Sequence, residues 1–132
     1  VVRATSTGEK FMKIFSAALL AIVSSFIFSS TAHADGKSLL KQCTSAEKFI
    51  NTNEITSEFD IGMCFGLLQG VRNTMQILAV DGSIKICMPK NGIDNGQATK
   101  VVVSYLKDHP ESLDDNAVTL IMLAMIDAYP CK

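Results

Sequence analysis

Asp60-Ile61-Gly62-Met63-Cys64-Phe65-Gly66-Leu67-Leu68-Gln69-Gly70-Val71-Arg72-Asn73-Thr74-Met75-Gln76-Ile77-Leu78-Ala79 is the stretch whose reading decides the fold. Within it Ile61, Cys64, Leu67, Leu68, Val71, Met75 and Leu78 recur at the three- and four-residue spacings of one helix face. Gly66 and Gly70 stand four apart on that face, and each glycine costs about 1 kcal/mol in a helix relative to alanine. Two such costs on one helix predict a neighbouring backbone that approaches closely there. Asp81-Gly82-Ser83 breaks the helix, and a long loop follows through Cys87, Pro89, Asn91 and Gly92.

The same period extends outward on both sides. Upstream, Leu39, Leu40, Cys43, Ala46, Phe49 and Ile50 predict a first helix, ended by the short polar side chains of Asn51, Thr52 and Asn53. Downstream, Asp94 with Gln97 three places on announces a third helix. Ala98, Val101, Val102, Tyr105 and Leu106 form its inner face, and Pro110 stops it. Asp114 and Asp115 favour the positive end of a fourth helix, Ala117 to Tyr129. That helix is apolar on nearly every side except Thr119 and Asp127, so the other three helices or a second copy must surround it. No strand alternation persists for four residues outside the loops. The expected class is all-α, a small disulfide-stapled bundle of about four helices.

The first 34 residues stand apart from this pattern. The first methionine is Met12; Lys13 follows, then the apolar run Ile14 to Phe28, then Ser29-Ser30-Thr31-Ala32-His33-Ala34. A cationic start, a short apolar run and a small-x-small ending are the parts of a secretory signal peptide, cleaved here after Ala34. A membrane span needs about 20 apolar residues, and Ser16, Ser24 and Ser25 dilute this run further. We therefore read 1–11 as an upstream extension without fold, 12–34 as the signal peptide and 35–132 as the mature, exported helical domain.

All four cysteines, Cys43, Cys64, Cys87 and Cys131, lie in the mature part. An even count in a short exported chain implies disulfides. There is no C-x-x-C pair, and His109 is the only histidine after residue 34, so a zinc site finds few ligands. In an up-down-up-down bundle Cys43 and Cys64 fall at similar heights, and Cys87 and Cys131 both fall at the end where the first helix begins. The expected pairs are Cys43–Cys64 and Cys87–Cys131.

Residues 35–132 keep nine basic and twelve acidic side chains, a net charge of −3. A mildly acidic surface does not suit nucleic acid or anionic membranes, which reward basic patches. Catalytic parts are also missing. His109, between Asp108 and Pro110, suits a helix end whose carbonyls it can hydrogen-bond. The cysteines are spoken for, and no nucleophile elbow, metalloprotease helix, Walker loop or dinucleotide fingerprint occurs. Glu54, Glu58 and Asp60 read as solvated, and Met75, Met122 and Met125 read as core filling. No enzyme, metal or cofactor is expected.

Four blocks of sequence carry a family resemblance. Met63-Cys64-Phe65-Gly66-Leu67-Leu68-Gln69-Gly70-Val71 resembles the aromatic-Cys-x-Gly-aromatic-x-x-Gly block of the Tai/Rap immunity proteins, with Met63 and Leu67 where aromatic residues are the rule. Ile86-Cys87-Met88-Pro89 is similar to that family's Cys-x-Pro segment, and Val101 to Glu111, with His109-Pro110, to its Val-rich helix. Ala128-Tyr129-Pro130-Cys131 is similar to its aromatic-Pro-Cys ending. Such proteins protect bacteria against peptidoglycan amidases delivered by type VI secretion. The resemblance implies an all-helical periplasmic protein, commonly a dimer, that blocks an amidase active site sterically. A loop pinned by Cys87 loses less entropy on binding, and Asp81, Ser83, Lys85, Lys90 and Asn91 are the expected toxin contacts. Two other functions fit a small exported helical domain: an acid-stress chaperone, and an inhibitor of another wall-lytic enzyme such as a lysozyme.

Overall fold

The computed structural model describes residues 34–132, so the proposed upstream extension and the signal segment up to residue 33 lie outside the described residues. Four α-helices are present among them: α1 Gly36–Thr52, α2 Glu58–Val80, α3 Asn95–Asp108 and α4 Ala117–Ala128. A single 3-10 turn, Pro110–Ser112, lies between α3 and α4. No strand occurs among the described residues; a lone antiparallel bridge joins Asp35 to Asn116.

Short polar side chains start each α-helix. Asp35 accepts from the Ser38 N–H at 2.8 Å, Ser57 from Asp60 at 3.2 Å and Asp94 from Gln97 at 2.7 Å. Each satisfies an N–H that has no partner inside the first turn. Asn116, rather than Asp114 or Asp115, caps α4, taking the N–H groups of Val118 and Thr119. Asp114 instead pairs with Lys37 at 2.6 Å. At the end of α1, Asn53 adopts the left-handed conformation, φ 56°, and its N–H bonds to Phe49 O; asparagine tolerates that geometry better than most residues.

The helices enclose one core. Leu39, Cys43 and Ala46 of α1 meet Cys64, Leu68 and Met75 of α2, Ala98, Val102 and Leu106 of α3, and Leu120, Ile121 and Met125 of α4. α1 packs chiefly on α2 and α3, and α3 on α4. Asp60 is buried rather than solvated, 6% exposed, with Lys41 Nζ at 3.5 Å.

Two expectations fail in informative ways. The helices do not alternate strictly up and down, because α1 and α4 begin side by side. Gly36 N–H donates to Asp115 O, Lys37 N–H to Leu113 O and Ala117 N–H to Ala34 O, all at 2.9–3.0 Å. The Pro110–Ser112 turn redirects the chain to make this possible. Gly36 is the residue that lets the segments close: a Cβ there would fall 2.9 Å from the Leu113 Cα and 2.5 Å from Leu120 Cδ1. Gly66 and Gly70, by contrast, meet no neighbouring backbone, and an added Cβ would have nothing within 4 Å. They lie on the outward side of α2, away from the Leu68–Met75 face, so nothing among the described residues accounts for their helix cost.

Candidate functional site: the tethered loop after α2

The 14 residues between α2 and α3 make the longest connection among the described elements, and several independent ties fix it. At its start Asp81 Oδ1 accepts from the Ser83 N–H at 2.8 Å. Gly82 takes φ +79°, which glycine adopts without steric cost. The Ser83 N–H also reaches Leu78 O at 2.9 Å, bending the chain back over the last turn of α2. The hydroxyl and the N–H of Ser83 together hold the Asp81 carboxyl below its usual range. Asp81 is therefore a charged, oriented acceptor at neutral pH.

In the middle, the Ile86 side chain is buried, 7% exposed, and anchors the loop to the core. The Cys87 N–H donates to Tyr129 O at 3.0 Å. Cys87 is also bonded to Cys131, with Cα atoms 4.9 Å apart. The other disulfide, Cys43–Cys64, staples α1 to α2 with Cα atoms 5.1 Å apart. These are the pairs expected above, but the reason given for the second was incomplete. α4 starts beside the start of α1, so Cys131 lies beyond its far end, about 18 Å along the helix.

At its end, the loop closes a turn in which the Gly92 N–H donates to Pro89 O at 2.9 Å, with Gly92 at φ +75°. The last tie comes from a residue that the sequence reading passed over. Arg72 of α2 is buried, 8% exposed, and its guanidinium donates to Ile93 O and to Asn95 Oδ1, the latter at 2.6 Å. Burial pushes its pKa down, while Asp94 and Tyr129 push it up. Arg72 Nε has no protein partner. The signal was present in sequence: Leu68, Val71, Arg72 and Met75 fall at helix spacings that put the arginine on the apolar face, where a cation needs a reason.

The structure thus places Asp81, Ser83 and Lys85 on one turn, and Lys90 and Asn91 on another, with the Cys87 tether between them. All five side chains are exposed. Beside them α2 shows Ile77, 69% exposed, and Val80, 90% exposed. A groove lined by Gln76, Ala79, Val80, Ile86, Met88 and Pro89 continues the surface. Exposed apolar groups ringed by polar ones are what a protein partner covers.

Among the described residues no cluster of His, Cys, Asp and Glu could hold a metal ion. His109 sits at the end of α3 with Nδ1 2.9 Å from Tyr105 O, its ring stacked on that tyrosine at 4.1 Å. Among the described residues no helix is long and apolar enough to cross a membrane.

The family model of the Rap1a immunity proteins matches residues 35–131, which include the four helices, the loop and all four cysteines. The chain belongs to that family. Rap1a proteins form the Tai/Rap family of type VI immunity proteins, whose role is to bind a toxin effector and neutralise it. No curated protein and no solved structure matches the chain. The two disulfides of this Rap1a protein fit an oxidising compartment.

Proposed function

We propose that this Rap1a protein is exported by the 12–34 segment, cleaved after Ala34, and inhibits a type VI secreted peptidoglycan amidase in the periplasm. Inhibition is steric. The tethered loop enters the toxin's substrate cleft, and Asp81, Ser83, Lys85, Lys90 and Asn91 make the polar contacts. The observation that carries this reading is the fixing of the loop: Asp81–Ser83, Cys87 and Arg72–Ile93 hold its start, middle and end. A loop already in one shape binds without a large ordering cost. Replacing Ser83 and Lys85 together by tryptophan should abolish inhibition while leaving the far-UV circular dichroism and the thermal midpoint unchanged. Full inhibition by a folded variant would remove the loop from the mechanism.

The proposed active form is a homodimer, and α2 supplies the supporting surface. Its outward side carries Phe59, 70% exposed, with Met63 and the three open glycines Gly62, Gly66 and Gly70. Beside them a groove of about 340 Å³ runs between Leu67, Val71 and Thr74 of α2 and Val118 and Met122 of α4. Knob and groove lie on one face, as a two-fold contact requires. Gly66→Leu should shift sedimentation from dimer to monomer. A dimer unchanged by Gly66→Leu would place the contact elsewhere, and a wild-type monomer at high concentration would remove it.

A further inference from the structure

The two disulfides differ sharply in accessibility. Cys43 and Cys64 are each 0% exposed, and the Thr99 hydroxyl lies 4.0 Å from Cys64 Sγ. Cys87 and Cys131 are both exposed. They flank cationic side chains in sequence: Lys85 and Lys90 on one side of the bond, Lys132 on the other. A thiolate must approach a disulfide along the S–S axis, so an enclosed bond opens only when its surroundings open first. Neighbouring positive charge favours both the incoming and the departing thiolate.

We propose that Cys87–Cys131 is a thiol–disulfide exchange site that controls the order of the 81–94 loop, while Cys43–Cys64 is an inert staple. The co-reactant is a dithiol. One of its thiolates bonds to one sulfur of the pair, the S–S bond breaks, and the electron pair leaves on the other sulfur, which takes up a proton. The second thiol of the reductant then attacks the mixed disulfide. The products are the free thiols of Cys87 and Cys131 and the oxidised dithiol.

Opening this bond has a local consequence. The direct hydrogen bond between the loop and the chain after α4 is Cys87 N–H to Tyr129 O. The start of the loop remains held by Asp81 and Ser83, and its end by Arg72. The middle loses its covalent tie, while the helical core keeps Cys43–Cys64. That exchange can occur follows from accessibility alone; that it governs toxin binding rests on the loop reading above.

The test treats the oxidised protein with graded dithiothreitol, traps thiols with iodoacetamide and maps the peptides by mass. The expected first product is alkylated at Cys87 and Cys131 with Cys43–Cys64 intact, formed at least tenfold faster than any other. In that product, hydrogen exchange at the Cys87 amide should rise at least tenfold, with the core amides of α1 and α2 unchanged. Its affinity for the cognate toxin should fall at least tenfold. Simultaneous opening of both bonds, earlier opening of Cys43–Cys64, or an unchanged Cys87 amide would overturn the proposal. Undiminished affinity despite a loosened loop would overturn its control of binding. Failure of the fully oxidised protein to bind would instead overturn the loop reading.

Discussion

The double variant Cys43→Ala/Cys64→Ala should lose about 3 to 5 kcal/mol of stability. The chain-entropy account assigns about 3 kcal/mol to a cross-link closing a loop of this size, the two cysteines being 21 residues apart. A second contribution arises because both sulfurs sit at 0% exposure between α1 and α2. Their removal leaves a small void beside the Thr99 hydroxyl, which lies 4.0 Å from Cys64 Sγ, at about 1 kcal/mol or more. Domains of this size are stable by only about 5 to 15 kcal/mol, so the variant should be close to unfolding at 37 °C. Urea denaturation of variant and wild type, both oxidised, measures the difference. A loss under 1 kcal/mol would mean that apolar packing alone holds the two helices together.

Arg72→Ala should have the second largest effect, about 3 kcal/mol. The guanidinium makes two charge-assisted hydrogen bonds in a partly buried place, to Ile93 O and Asn95 Oδ1, and such bonds contribute about 1.5 to 3 kcal/mol each. Removing a desolvated cation returns part of that. Arg72→Lys should restore little, because one ammonium cannot fork to a backbone carbonyl and a side-chain amide as a planar guanidinium does. The damage should concentrate at the end of the loop, so hydrogen exchange at 92–95 should accelerate more than exchange in α1. An Arg72→Lys protein with wild-type stability would show that charge, not the fork, is what this position supplies.

These two sites also mark how far the sequence could be read. The Ile61–Leu78 spacing and the Asp94 cap were legible because both signals are local: the period of one face, and an N–H that needs an acceptor. The caps at Asp35, Ser57 and Asn116 were equally local but went unread, with Asp114 and Asp115 read in place of Asn116 at the start of α4. Core membership of Leu39, Cys43, Leu68, Met75, Val102 and Met125 follows from the same period. Direction in space did not follow. Whether α4 starts beside α1 or opposite it depends in the mature chain on two backbone hydrogen bonds, from Gly36 and Lys37, between segments nearly 80 residues apart. No local pattern encodes such bonds, although a glycine at position 36, immediately inside a helix start, is a trace of the close approach. The open state of Gly66 and Gly70 was illegible for the opposite reason: a glycine in a helix shows that something small is tolerated, not which molecule comes near.

The loop was legible as a loop, from Asp81-Gly82-Ser83 and Pro89 to Gly92, and its exposed polar residues could be named. Its fixation was legible only in part. Cys87 declared the central tether, but the Arg72 tie at the far end required knowing that residue 72 faces residues 93 and 95, 21 and 23 positions along the chain. A cation on an apolar helix face is a general signal of such an internal tie, and it was visible here without coordinates.

The claim that this Rap1a protein neutralises its toxin by covering the active cleft is tested most directly by titration. A candidate type VI amidase effector would be assayed on purified peptidoglycan with increasing amounts of the oxidised 35–132 protein. The account predicts cleavage of amide bonds that falls linearly to zero at one domain per toxin, together with a stable complex of the two. Undiminished cleavage at a tenfold excess of folded, oxidised protein would contradict it.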